Sequence, residues 1–202
     1  TVDIGAVESG NALPTVIVNT VADENDGIGT GNISLRDAVT GAVAGSTITF
    51  APALDGQKLT LTVDQLEIDT NLVVDATALP RGLPGSGSVP RAFRVSALSQ
   101  AGRKGLTIAD ILSYEDHGAA IRNAGTLDLT DCTMVGNIGN KGGAVHNAGA
   151  GRLTMTDCVL VRNEGQDDGG GLYNGGDATL TRCQLRRNGT SHNGAGIAND
   201  GT

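Results

Sequence analysis

Large aromatic side chains are almost missing from this sequence. Its 202 residues include no Trp, two Phe and two Tyr. A globular core usually depends on such side chains, so this chain must bury Val, Ile, Leu, Ala and Thr in thin layers. No apolar stretch approaches the roughly 18 residues that span a bilayer. This segment is therefore not expected to insert into a membrane.

Basic charge and cysteine are also limited. The formal net charge is −8, which disfavours nucleic acid or an anionic membrane surface as a partner. The chain has three Cys, an odd number that gives no sign of an oxidising compartment. Its hydrophobic fraction of 39% and charged fraction of 18% exclude a disordered chain.

Glycine is abundant, with 31 residues, and much of it belongs to a repeat. A six-residue segment that begins with Gly and ends with Asn occurs four times, at Gly118–Asn123, Gly142–Asn147, Gly169–Asn174 and Gly194–Asn199. Its final asparagines are 24, 27 and 25 residues apart. Repeats of this length cannot each bury a core alone, so they must stack on one another.

Alternation within each repeat predicts the fold. Leu127 and Leu129 point to one face and Asp128 and Thr130 to the other, as successive side chains of a strand do. Three short strands in about 25 residues, bounded by Gly or Asn, form one rung of a parallel β-helix. The sequence therefore predicts an all-β, right-handed parallel β-helix of roughly six rungs.

Two columns of like residues are expected inside this β-helix. Asparagines at the bends can hydrogen-bond from rung to rung, which predicts a ladder of Asn123, Asn147, Asn174 and Asn199. Cysteines occupy one repeated position, at Cys132, Cys158 and Cys183. Parallel Cβ vectors disfavour disulfides between rungs, so these residues are expected to be buried free thiols and not zinc ligands.

The N-terminal half is less regular. Ser34 can cap a helix over residues 34–43, whose apolar stripe would cover the first rung. Upstream of the clear repeats, Leu106–Ile111 aligns by pattern with Leu127–Cys132. These features divide the chain into a tail (1–13), a capping region with irregular rungs (14–104) and regular repeats (105–202).

The capping region resembles a known family. The segments Val18–Asp23, Ile33–Val39 and Thr47–Pro52 are similar to the CSLREA domain of bacterial surface β-helices, although Ile33 replaces the Cys of that motif and Asp37 its Glu. The glycine repeats resemble those of polymorphic outer-membrane proteins, which are right-handed β-helices. The resemblance implies a secreted or surface-displayed bacterial protein, often without enzymatic activity.

The order of the segments suggests assembly. Residues 2–8 look like the segment that usually finishes such a β-helix, yet they come first, and the last repeat stops after one strand. Either the chain is a fragment of a longer array, or its first strand completes a neighbouring copy. In the second case the contact would involve Val2, Ile4, Val7, Ile197 and Asn199.

The best candidate for a catalytic or ion-binding site is a row of Asp110, Asp131 and Asp157, in which Arg182 takes the fourth place. Stacked carboxylates could recruit Ca²⁺ or serve a polysaccharide-degrading site, but Asp also suits bends, and the bend is the favoured interpretation. An outward row of Arg122, His146 and Tyr173 could contact a glycan, although a solvated face is favoured. His117 is interpreted as a loop residue.

Taken together, the patterns predict a non-catalytic extracellular structural protein of a bacterial surface or matrix. It would be adhesive or would form filaments with its own copies, without a cofactor or metal. The alternative is a polysaccharide-binding or polysaccharide-degrading β-helix that uses the aspartate row, with Ca²⁺ as the ion such a row would take.

Overall fold

A computed structural model describes residues 14–29, 31–79, 84–87, 89–96 and 100–202. The predicted tail (1–13), with Val2, Ile4 and Val7, lies outside the described residues. In chain order, the elements of the irregular half are β1 (Thr15–Val18), α1 (Leu35–Gly41), β2 (Ser46–Phe50), a 3₁₀ turn (Pro52–Leu54), β3 (Leu59–Leu61), β4 (Leu66–Ile68), β5 (Leu72–Asp75), β6 (Pro84–Gly87), β7 (Phe93–Val95), β8 (Gln100–Lys104) and β9 (Thr107–Ile111).

The regular half repeats one pattern of short strands. They are β10 (Ile121–Asn123), β11 (Thr126–Thr130), β12 (Thr133–Val135), β13 (Ile138–Gly139), β14 (Val145–Asn147), β15 (Arg152–Thr156), β16 (Val159–Val161), β17 (Glu164–Gly165), β18 (Leu172–Asn174), β19 (Asp177–Thr181), β20 (Gln184–Arg186), β21 (Gly189–Thr190) and β22 (Ile197–Asn199).

These strands stack into four parallel sheets. Sheet 1 has the order β1-β2-β5-β8-β11-β15-β19, sheet 2 the order β3-β6-β9-β12-β16-β20, sheet 3 the order β4-β7-β10-β14-β18-β22, and sheet 4 the order β13-β17-β21. Each complete regular rung contributes one strand to each sheet, in the order sheet 3, sheet 1, sheet 2 and sheet 4, and the chain then enters the next rung. The predicted parallel β-helix is confirmed, with about six turns and a rung spacing of about 26 residues.

The alternating residues form continuous columns in the interior. Leu127 lies opposite Leu153 and Leu129 opposite Met155, and all four are at most 1% exposed. On sheet 3, Ile121, Val145 and Leu172 are in register and fully buried. Because most members of a column are aliphatic, they fill a narrow core with few large aromatic residues, of which Phe93, opposite Ile121, is one.

One alignment made from the sequence is wrong. Thr107 pairs with Thr133 and Ile108 with Met134, so β9 belongs to sheet 2. The segment Leu106–Ile111 therefore matches the strand that follows the cysteine corner, and not Leu127–Cys132. Both segments alternate apolar and polar residues, and a period of two does not distinguish one sheet of the β-helix from another.

The expected capping helix is present but shorter, with Ser34 as its N-cap and its last residue at Gly41. Ser34 and Asp37 form a capping box, since each side chain binds the other residue's backbone N–H. The helix packs against β4 and β1. It thus lies beside the outermost strand of sheet 3 at the N-terminal end of the stack.

A buried ion pair ties this cap to the first rungs. Arg36 Nε donates to Asp23 Oδ1 at 2.8 Å, and the Asp23 side chain is 1% exposed. The other carboxylate oxygen of Asp23 accepts from the backbone N–H groups of Thr62, at 2.6 Å, and Val63, at 2.9 Å. Although burial opposes ionisation, the hydrogen bond from Arg36 and those two N–H groups lower the pKa of Asp23.

Candidate functional site

Two asparagine ladders run along the interior. In the predicted one, each Nδ2 donates to the Oδ1 of the next rung, at 2.8 Å from Asn123 to Asn147, 2.7 Å from Asn147 to Asn174 and 2.7 Å from Asn174 to Asn199. A second ladder links Asn137 to Asn163 at 2.9 Å and Asn163 to Asn188 at 3.1 Å. These amides hold the bends together and leave little capacity for binding a ligand.

The cysteine column consists of free thiols, of which Cys132 and Cys158 are buried and Cys183 is half-buried. Each sulfur contacts a carbonyl oxygen of the preceding rung, as Cys158 Sγ does at 3.6 Å from Leu129 O. The neighbouring Cys132 thiol and burial raise the pKa of Cys158. A buried, protonated thiol is a poor nucleophile, so Cys158 is an element of packing.

The proposed aspartate row is wrong for Asp110, whereas Asp131, Asp157 and Arg182 occupy one corner in successive rungs. Asp110 follows Ala109, which pairs with Val135, so it shares a corner with Gly136. Asp131 and Asp157 lie at a different corner, at the end of sheet 1. The separation of Asp110 from the other two carboxylates is a direct consequence of the corrected register of β9.

The geometry of the remaining carboxylates suits a bend. Asp131 and Asp157 have φ of 52° and 55°, a left-handed conformation that Asp tolerates better than most residues. Arg182 Nη2 approaches Asp157 Oδ2 at 2.6 Å, and this hydrogen bond lowers the pKa of Asp157. Among the residues that the structure describes, no three His, Cys, Asp or Glu side chains converge as metal ligands.

The outward row on sheet 3 contains a stack of rings that the sequence did not reveal. His117 and His146 stack with centroids 4.9 Å apart, and His146 and Tyr173 stack at 5.1 Å. Lys141 Nζ lies 4.8 Å from the Tyr173 ring centre and 3.3 Å from Asp168 Oδ2. These rings cover one another's faces, so the middle ring offers little aromatic surface to a sugar.

His146 is the most perturbed group of this stack. It is 8% exposed, and burial, followed by the nearby His117 and Arg122, lowers its pKa to about 4. The imidazole is therefore neutral at pH 7 and acts as a flat stacking unit. His117 lies in the turn before the repeated segment, outside the regular register, so the repeat pattern could not place it in the stack.

An arginine occupies a core position of sheet 1, which sequence reasoning missed. Arg103 is 1% exposed and replaces the aliphatic residue between Val74 and Leu129. Its guanidinium lies 4.4 Å from the centre of the Phe93 ring, while Nε and Nη2 have no hydrogen-bond partner. The inward position of residue 103 follows from strand alternation, but only once the register of β8 is known.

The last rung is less covered than the others. Ile197 is 41% exposed, although its partner Leu172 is fully buried. Leu180, Cys183 and Leu185 are only partly buried. Asn199, which ends the longer ladder, is exposed and is paired on one side by Asn174. The strands β19, β20 and β22 are the outermost members of sheets 1, 2 and 3.

Comparison of the chain with family models, curated proteins and solved structures gave no match. Within the described ranges, no helix has the length and apolar character needed to cross a membrane.

Proposed function

We propose that this protein is a non-catalytic structural β-helix of a bacterial surface or matrix, and that its copies associate end to end. The extracellular bacterial location is supported by the resemblance of the capping segment to bacterial surface proteins. The absence of catalysis is supported by the use of the candidate groups in packing: Asp157 pairs with Arg182, and the buried amides bind one another.

The proposed association rests on the exposure of an inward apolar side chain in the last rung. Ile197 exposes 41% of its surface in a column whose preceding member is fully buried. Outermost parallel strands also present backbone groups that can pair with another chain. Apolar side chains in line with an outermost strand are the features that β-augmentation uses.

A second copy is the occupant that fits this edge. Sheet 1 ends at the last rung in β19, whose inward Leu180 is only partly buried, and its outermost described strand at the opposite end is β1, whose inward Val16 is also partly buried. Since every pairing in sheet 1 is parallel, β1 of one copy can follow β19 of another without reversing the strand direction. Such a contact joins two different surfaces and does not close, so it generates filaments.

The test is sedimentation velocity and electron microscopy of the purified chain. We expect concentration-dependent association and filaments, which Ile197→Asp abolishes. The matched control is Val63→Asp, because Val63 is also an exposed aliphatic residue, at 62%, but lies outside the last rung. A variant lacking residues 1–8 tests strand donation separately. A wild-type protein that stays monomeric, or equal effects of the two Asp substitutions, would refute end-to-end association.

A further inference from the structure

Two arginines occupy one corner of the β-helix in successive rungs. Arg162 follows β16 and Arg187 follows β20, and the pairing of Val161 with Arg186 places them side by side. Arg162, Arg186 and Arg187 are all exposed. Together with Val161 they line a shallow groove of about 300 Å³. We refer to these three arginines as the arginine corner.

The three arginines of the arginine corner have no counter-ion among the described residues. Other exposed arginines form ion pairs, as Arg152 does with Asp177 and Arg182 with Asp157. In the part of the chain that the structure describes, no ion pair or side-chain hydrogen bond involves the three arginines of this corner. Three uncompensated cations are thus concentrated on a protein with a net charge of −8.

The backbone at this corner is unfavourable for arginine. Arg162 and Arg187 have φ of 56° and 55°, in the left-handed region that favours Gly, Asn and Asp. The same corner carries Gly136 and Asp110 in the two rungs below. The next residues, Asn163 and Asn188, belong to the second asparagine ladder and fix the backbone there. Arginine is therefore not required by the turn.

Placing like charges in adjacent rungs, about 4.8 Å apart, adds repulsion to this conformational cost. Backbone strain that the fold does not need is commonly kept where a ligand uses it. A guanidinium presents a planar fork of N–H donors that matches a carboxylate with two hydrogen bonds. Two guanidinium groups one rung apart can therefore each bind one carboxylate of a linear polymer that carries carboxylates at regular intervals.

We propose that the arginine corner binds an acidic polysaccharide through the carboxylates of successive sugar residues. The preference for a glycan over another carboxylate polymer rests on the proposed matrix role, whereas the anion site rests on the corner alone. The groove lacks an aromatic side chain on which a base could stack, which disfavours a single-stranded nucleic acid.

The test measures binding of polygalacturonate to the full chain at low ionic strength by calorimetry. The informative variant is the double substitution Arg162→Asn with Arg187→Asn, because Asn suits the left-handed backbone and keeps the fold. We expect binding at least tenfold weaker than wild type, with an unchanged or higher melting temperature. The matched control is Arg182→Asn, since Arg182 also has a positive φ, of 52°, but is paired with Asp157.

Several results would overturn the assignment. These are no binding of polygalacturonate by the wild type, undiminished binding by the double variant, or an equal loss in the Arg182→Asn control. Single-stranded DNA and polyglutamate serve as competing anions, and binding of either as tightly as polygalacturonate would reject a glycan site. Binding is measured on the monomeric Ile197→Asp variant too, so that failure of filament formation and failure of glycan binding are separate outcomes.

Discussion

Removal of one amide from the middle of the longer ladder should destabilise the β-helix far more than removal of the last one. Asn147 is fully buried and accepts a hydrogen bond from Asn123 at 2.8 Å. Its Nδ2 donates to Asn174 Oδ1 at 2.7 Å and to the carbonyl oxygens of Gly151 and Asp177, both at 3.1 Å. The substitution Asn147→Ala breaks all four contacts.

The expected loss can be estimated from these contacts. A typical intramolecular hydrogen bond contributes about 1 kcal/mol net, and a buried group left without a partner adds to the cost. Because Nδ2 has only two N–H groups, the four contacts amount to about three hydrogen bonds, or about 3 kcal/mol. The partners left unpaired bring the total to about 4 kcal/mol, a large part of the stability of an ordinary domain. For a chain of this length, that loss lowers the melting temperature by roughly 10 °C.

The matched control is Asn199→Ala at the end of the same ladder. Asn199 is exposed, accepts from Asn174 at 2.7 Å and donates to Gly201 O at 3.3 Å. Water can replace these two contacts, so a loss of about 1 kcal/mol or less is expected. Urea unfolding followed by circular dichroism measures both variants, and hydrogen exchange locates the weakened rungs. Equal losses in the two variants would show that ladder amides do not stabilise the interior.

Three further predictions follow from other buried groups. Arg103→Met should raise the urea midpoint, because the desolvation penalty of a buried guanidinium without a carboxylate exceeds the stabilisation from its contact with Phe93. A lower midpoint would contradict this. The pKa of His146 is about 4 in the folded chain and about 6.5 when unfolded, so stability should be full above pH 6.5 and fall by about 3 kcal/mol as the pH drops to 4. His146→Phe should keep the stack with Tyr173 and remove much of this decline, and an unchanged pH profile would count against it. Leu129→Asp should cost about 4 kcal/mol or more by burying a charge; retention of full stability would show that residue 129 does not face the core.

The regular half of the fold could be predicted because every rung repeats the same physical requirement. A narrow interior selects an aliphatic residue at each inward position, and Asn at a bend can bind its copies above and below. These requirements made Leu127, Leu129 and the four ladder asparagines identifiable without a structure. The helix start at Ser34 was identifiable for a similar reason, because a capping serine is a local signal.

The features that could not be predicted depend on register. Asp110 was assigned to the wrong corner because β9 and β11 have the same alternation and only the pairing of Thr107 with Thr133 distinguishes them. The stack of His117 on His146 joins a turn to a strand of the next rung. Arg103 contradicts the rule that charged residues face outward, and no local pattern marks such an exception.

The corners show where this fold accepts different residues while keeping its backbone. The corner after sheet 2 is occupied in successive rungs by Asp110, Gly136, Arg162 and Arg187. In the last three of these rungs the next residue is an asparagine of the second ladder, Asn137, Asn163 or Asn188. Because the ladder fixes the backbone, the side chain before it is free to change in size and charge. The identity of a corner residue therefore reports on what the surface contacts more than on how the chain folds. Arg162 and Arg187 have no counter-ion and a left-handed backbone that does not favour arginine. They therefore indicate a ligand more strongly than Asp131 and Asp157, whose backbone conformation suits aspartate.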